Sequence, residues 1–415
     1  MINNKNKKTM KHTFRLLAFA CLVGTMMLTS CEKLFGDEDV DDNIVDGDDA
    51  TALSGLISEN KTLPDLGLDV DYIINGVLTV DGNALLTIEP GVTIMFTGVN
   101  DGVQVNENAG LKMVGTADKP IRFVGPANNP NNGSWHAIKY LSNRNDNQME
   151  YVQLLRGGSG EASWDGVLQN YGKLSMKHCT IDGSASNGID MEGGVFTAFE
   201  GNTIKNCAWY PIYNESGIKW LKNLGVNTYT ANGKNYIHVA GGDILTEDLT
   251  VTNAGIPYYF EGDCGITGSY TFTIEAGTTF LFNMDTRFYT DDEPEIRFNG
   301  TETSPIVFRG MRNEAGYWHG FWPESTRQSN MMSFCKIYDA GREEGWRGGC
   351  LYLGSSTRMY LTSCEFGNSG HYGVVIEDVE AFRSRINHEL CTFVDCPGGN
   401  VYFEETGETA DLLPM

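Results

Sequence analysis

The chain has 415 residues, of which 54 are acidic and 30 basic, for a net charge of −24. A phosphate backbone needs a basic patch, so this balance argues against nucleic acid as a partner. Five of the basic residues (Lys5, Lys7, Lys8, Lys11 and Arg15) and none of the acidic ones fall in the first 30 positions, so the remainder carries 25 basic residues and a net of −29.

That leading segment continues with an apolar run, Leu16 to Leu28, too short to span a bilayer as a mature helix, and then Leu28-Thr29-Ser30-Cys31. The pattern resembles the bacterial lipoprotein signal, which implies cleavage before Cys31 and lipid on that cysteine. Asp37, Glu38, Asp39, Asp41, Asp42, Asp46, Asp48 and Asp49 follow with no basic residue among them. Such a run repels itself and stays solvated. Placed behind a lipidated cysteine, it is similar to tethers that carry lipoproteins to the outer face of the outer membrane, so a lipid-anchored location facing the cell exterior is expected. Calcium is the one cofactor to weigh, but neither the Asp37 nor the Asp39 register has both the glycine and the glutamate of an EF-hand loop. No cofactor is therefore expected.

The chain divides into a signal peptide (1–30), a tether (31–50), and two copies of one module (51–235 and 236–415). Asp71 to Gly82 lies over Pro257 to Gly268, and Thr87 to Thr93 over Thr273 to Thr279, both at an offset of 186. Pro120, Ile121 and Phe123 match Pro305, Ile306 and Phe308 at 185, and Trp135-His136 matches Trp318-His319 at 183. Cys179 matches Cys364, and Cys207 matches Cys396.

In chain order, Ala50 to Glu59 is the best helical stretch and would form an N-terminal cap, which a solenoid needs. Leu85 to Phe96, Val103 to Val114, Pro120 to Val124, Met149 to Leu155 and Leu174 to Ile181 are short, alternating and punctuated by Gly, Asn and Asp, as strands are. Ala127 to Gly133 and Asn143 to Gln148 are expected as projecting loops. Strands broken by single glycine bends every twenty-odd residues favour a parallel β-helix over tandem sandwiches. Leu-Thr-Ile-Glu-Pro-Gly-Val at 86–92, Gly-Thr-Ala-Asp-Lys-Pro-Ile-Arg-Phe at 115–123, and Ile256-Pro257-Tyr258 before Gly262-Asp263 resemble right-handed parallel β-helix proteins of pectin-lyase-like fold. The expected fold is thus all-β, a right-handed parallel β-helix solenoid.

Eight of the ten cysteines follow the tether, between Cys179 and Cys396, without zinc spacing, and buried free thiols are expected. The resemblance admits enzymes, but the motifs of pectate-lyase-like and polygalacturonase-like sites are absent, and Arg385-Ile386-Asn387 is a partial echo of one. The carboxylate groups Asp182/Asp190/Glu192 and Glu343/Glu344 stand as candidates for paired acid and base chemistry. Positions kept in both copies, such as Glu89/Glu275 and Gly91/Gly277, read as corners of the coil. Trp135, His136, Trp318 and His319 are the candidate ligand-binding residues, with Trp164, Trp209, Trp322 and Trp346 beside them, since an indole can stack on a sugar ring. Against that stands strand alternation, which would send one of each Trp-His pair into the core. The reading reached is a non-catalytic surface module for extracellular glycan or a surface protein. A polysaccharide lyase or glycoside hydrolase is the alternative, and a structural or adhesive spacer the third.

Overall fold

A computed structural model describes residues 49–160, 165–342 and 348–414. Signal, lipidation and tether positions up to residue 48, Cys31 among them, lie outside the described residues, as do Trp164, Glu343, Glu344 and Trp346.

Apolar side chains at alternate positions of three- to five-residue strands bury one edge of each strand, and no strand is long enough to close a core by itself. Stacking solves this. The chain winds into a parallel β-solenoid of about 14 turns, consistent with a right-handed parallel β-helix. Most turns contribute one strand to the long sheet and one to each of two shorter sheets, and every strand pairing is parallel except that of Gly399–Phe403 with Glu408–Ala410 at the end. The interior is one continuous apolar column from Leu53 to Leu413.

The segment expected to be a helical cap is instead the first turn of strands, Thr51–Leu53, Leu56–Ile57 and Lys61–Leu63. Leu53, Ile57 and Leu63 are its buried residues. Their spacing of four and six suits a helix only in its first step; pairing with the next turn, Leu53 opposite Ile74 and Leu63 opposite Ile88, overrides local preference. Residues 143–146 form the expected loop, with Asn143, Asn145 and Asp146 exposed, but its end turns inward. Asn147 is buried, accepting from the Leu111 N–H at 3.1 Å and donating to the Ser142 and Lys173 carbonyls. Asn330, 183 residues later, repeats this with Ile296, Ser325 and Arg358. The corner glycines hold as read: Gly91 and Gly277 both have positive φ, 93° and 81°. A Cβ at Gly91 would come within 2.7 Å of the Asp65 carboxylate.

One sheet of 14 strands runs from Leu56–Ile57 to Thr392–Val394, through both copies. The other faces change hands. In the early turns the long sheet takes the second strand of each turn; from Tyr258–Phe260 onward it takes the first. Thus Tyr72–Ile74 belongs to a short sheet, whereas its duplicate, Tyr258–Phe260, belongs to the long one. The duplicated copies are offset by one face around the coil. The change occurs where the pairing of Ile212–Gly217 with Ile237–Gly241 slips between Asn214 and Gly217, and where a 3-10 turn, Ile218–Leu221, replaces a strand.

Candidate functional site

Trp135 and Trp318 are fully buried, which corrects their assignment as ligand-binding residues. Each indole donates its Nε1–H to a carbonyl one turn on, Leu155 at 2.8 Å and Tyr338 at 2.7 Å. With no exposed ring face, neither can stack on a sugar. His136 and His319 remain half-buried, and the His319 ring comes within 6.0 Å of Trp322.

Alternation places a different row outside. In the first copy Val103, Ile138, Leu168, Ile189 and Ile212 form an interior ladder, and the residues after them, Gln104, Lys139, Gln169, Asp190 and Tyr213, pair in register on the outer side of the long sheet. In the second copy the equivalent interior ladder is Phe288, Phe321, Leu351, Val374 and Val401. Its outer row is Tyr289, Trp322, Tyr352, Val375 and Tyr402, packed together with Tyr372. The copies keep an apolar core and have diverged in chemistry on the same outward row, polar in one and aromatic in the other.

The polar row holds the most perturbed carboxylate among the described residues. Asp190 is 1% exposed, and its Oδ1 is buried without a hydrogen-bond partner among the described residues. Burial, reinforced by the charges of Glu215, Asp165 and Glu192, pushes its pKa up to about 7, although the Tyr171 hydroxyl donates to Oδ2 and opposes the shift. Burial and this bond raise the Tyr171 phenol in turn, and Lys139 sits 4.8 Å over its ring. Glu215 is raised too, by partial burial and its acidic neighbours. Of the sequence's carboxylate trio, the structure brings Glu192 electrostatically to Asp190 but not Asp182. Asp182 lies on a neighbouring sheet, paired with Lys205 at 3.4 Å. Among the described residues no three His, Cys, Asp or Glu side chains converge as metal ligands. Arg385 closes the helix Val379–Arg385 and donates to the Ser355 carbonyl.

Beyond Tyr213 the outer row of the long sheet continues through His238 and Tyr259. His238 stacks on Tyr213 at 4.1 Å and binds Glu261 at 3.0 Å; burial lowers its pKa, and the Glu261 contact works against that. Tyr210 and Tyr236 meet edge to face at 5.4 Å, and Tyr236 lies 5.1 Å from Tyr259. Trp209 flanks this group, 40% exposed, with the Lys234 ammonium 4.6 Å from its ring and 4.4 Å from that of Tyr210. Sequence reasoning named Trp209 but missed the tyrosines, which come together because turns of some 21 to 25 residues put Tyr213, His238 and Tyr259 in one row with Tyr210 and Tyr236 beside it.

Residues 55–216 match the family described as a pectate-lyase like beta helix domain. This segment is similar to that family. The match covers under half of the chain and ends at the slip where the faces change. No curated protein and no solved structure matches the chain.

Proposed function

We propose that this protein is a non-catalytic surface module that holds an extracellular glycan on the outer side of the long sheet, over Trp209, Tyr213, Tyr236 and Tyr259. The observation that carries the proposal is the exposed indole of Trp209 beside a band of tyrosines on consecutive turns. Successive strands are about 4.8 Å apart, so the band offers ring after ring to an extended polymer. The acidic chain repels strongly anionic polymers, which favours neutral glycans. Anchoring through a lipidated Cys31 would present the coil at the outer membrane; labelled fatty acid still incorporated by a Cys31→Ala variant would remove that part of the proposal. The test of binding is retention of the full chain on a panel of immobilised neutral and acidic glycans. Trp209→Ala should lose retention about fivefold, the equivalent of about 1 kcal/mol for one aromatic contact. Retention unchanged in a folded Trp209→Ala/Tyr236→Ala variant would refute it.

One observation favours the alternative, a polysaccharide-cleaving enzyme. A carboxyl whose pKa is pushed up to about 7, with a tyrosine donating to one oxygen, keeps its proton below neutral pH as a general acid must, and because Asp190 is buried it would need a side-chain movement to reach a leaving group. Release of new chain ends from any of the same glycans, abolished in Asp190→Asn, would establish that reading in place of simple binding.

A further inference from the structure

A cavity lies where the faces change. The sheet ending at Val195–Glu200 and the sheet beginning at Leu249–Val251 are separated by the 3-10 turn Ile218–Leu221. They leave a space of about 260 Å³ between Lys173, Val195, Lys219, Trp220, Lys222, Leu245, Thr246, Glu247 and Leu249. Its walls are mainly apolar, from Val195, Leu245, Leu249 and Trp220, and three lysines, Lys173, Lys219 and Lys222, also line it in a chain whose net charge is −24. Lys219 is held by Asp243 at 2.6 Å, and Lys222 pairs with the exposed Glu247. Lys173 makes no ion pair with any described residue.

We infer that this cavity binds a small organic anion, a carboxylate on an aromatic or short aliphatic body, with the body against Trp220, Leu245 and Leu249 and the carboxylate between Lys173 and Lys222. Size supports a small ligand, because the volume falls below the roughly 300–1,000 Å³ of pockets that enclose drug-sized molecules. Polarity supports an apolar body. A sugar ring would bring a hydroxyl on nearly every carbon, and apart from the ammonium groups the only polar side chains in the lining are Thr246 and Glu247. Charge supports an anion: with Lys219 held by Asp243, Lys173 is the lining cation without an ion pair among the described residues, and the Lys222–Glu247 pair, both partners well exposed, is weak enough for Lys222 to turn to a ligand. The site is separate from the aromatic band and stands whether or not that band binds glycan.

Titration calorimetry of the full-length chain with phenylacetate and hexanoate, against phenylacetamide and hexanamide, tests the inference. At least one acid should bind saturably, its amide at least tenfold more weakly, and added salt should weaken the acid. Lys173→Gln/Lys222→Gln should reduce affinity at least tenfold. Lysine acetylation of the wild-type chain, read by peptide mass, gives an arm independent of that variant's folding: the acid should slow modification at Lys173, Lys219 and Lys222 and leave Lys61 and Lys112 unchanged. Absence of saturation by both acids, equal binding of the amides, or protection not confined to these three lysines would overturn it.

Discussion

The indole of Trp318 lies flat on the ring of Phe282, centroids 4.1 Å apart and planes 8° from parallel. Trp135 lies on Phe96 in the same manner, at 4.5 Å and 19°. Because both tryptophans are interior, Trp135→Ala and Trp318→Ala should each destabilise the coil by about 3–5 kcal/mol, as large core truncations do. Urea unfolding should show the loss. A shift within 0.5 kcal/mol, the range of an average surface change, would contradict the packing.

Asp190 makes stability depend on pH. Its folded value of about 7 lies above that of an unfolded aspartate, so the folded chain binds the extra proton. The sign follows: this contribution is fully present below about pH 4 and is lost as pH rises through 7. At most about 4 kcal/mol is involved, the full shift taken at about 1.36 kcal/mol per pH unit. Urea midpoints of the wild type should fall between pH 5 and 8 relative to those of Asp190→Asn. Parallel curves for the two would show that Asp190 does not titrate in that window.

The asparagine corners should matter more than exposed asparagines. Asn147→Ala leaves the Leu111 N–H and two carbonyls without this partner, and Asn330→Ala does the same to its own set. Each should cost about 1–3 kcal/mol per orphaned group, with partial relief from water. Asn131→Ala, on the exposed loop, should stay within about 0.5 kcal/mol in the same urea series.

The thiols should be slow to react in the folded chain. Cys179 and Cys207 are buried, and burial pushes both to about 12, so at pH 8 only about one in ten thousand is thiolate. Cys335 begins a strand, Cys364 and Cys391 immediately precede the strands of the next two turns, and the three interact with one another. Iodoacetamide without reductant should modify the thiols following the tether in urea and spare Cys179 and Cys207 under native conditions. Rapid native labelling of Cys179 or full protection in urea would each contradict this.

Strands, duplication and core cysteines could be read from the sequence because each is a local or strictly periodic signal. Val103 and Phe288 differ in size, yet both are apolar at alternating positions of a short strand, and that suffices to put them inside. Asp182 and Asp190 were not separable in this way. Eight residues apart, they fall on different sheets, and only the corner at Gly183 and the following turn decide which neighbours each meets. The Trp-His pairs carried both readings, and burial against Phe96 and Phe282 selects the core. Nothing in an offset of 186 reveals which sheet a duplicated strand joins. That depends on one slipped pairing and a four-residue turn.

The one-face offset bears on avidity. Two equal copies on a straight rod suggest a pair of matching sites that one polymer could occupy together. Here the matching rows, Gln104 to Tyr213 and Tyr289 to Tyr402, belong to different sheets, so equivalent positions look out in different directions. A chain lying along the long sheet passes from the second-strand surface of one copy to the first-strand surface of the other and never meets the same chemistry twice. Duplication has therefore given this rod two dissimilar sides in place of a doubled one, and two separate ligands could be carried where one bivalent ligand could not.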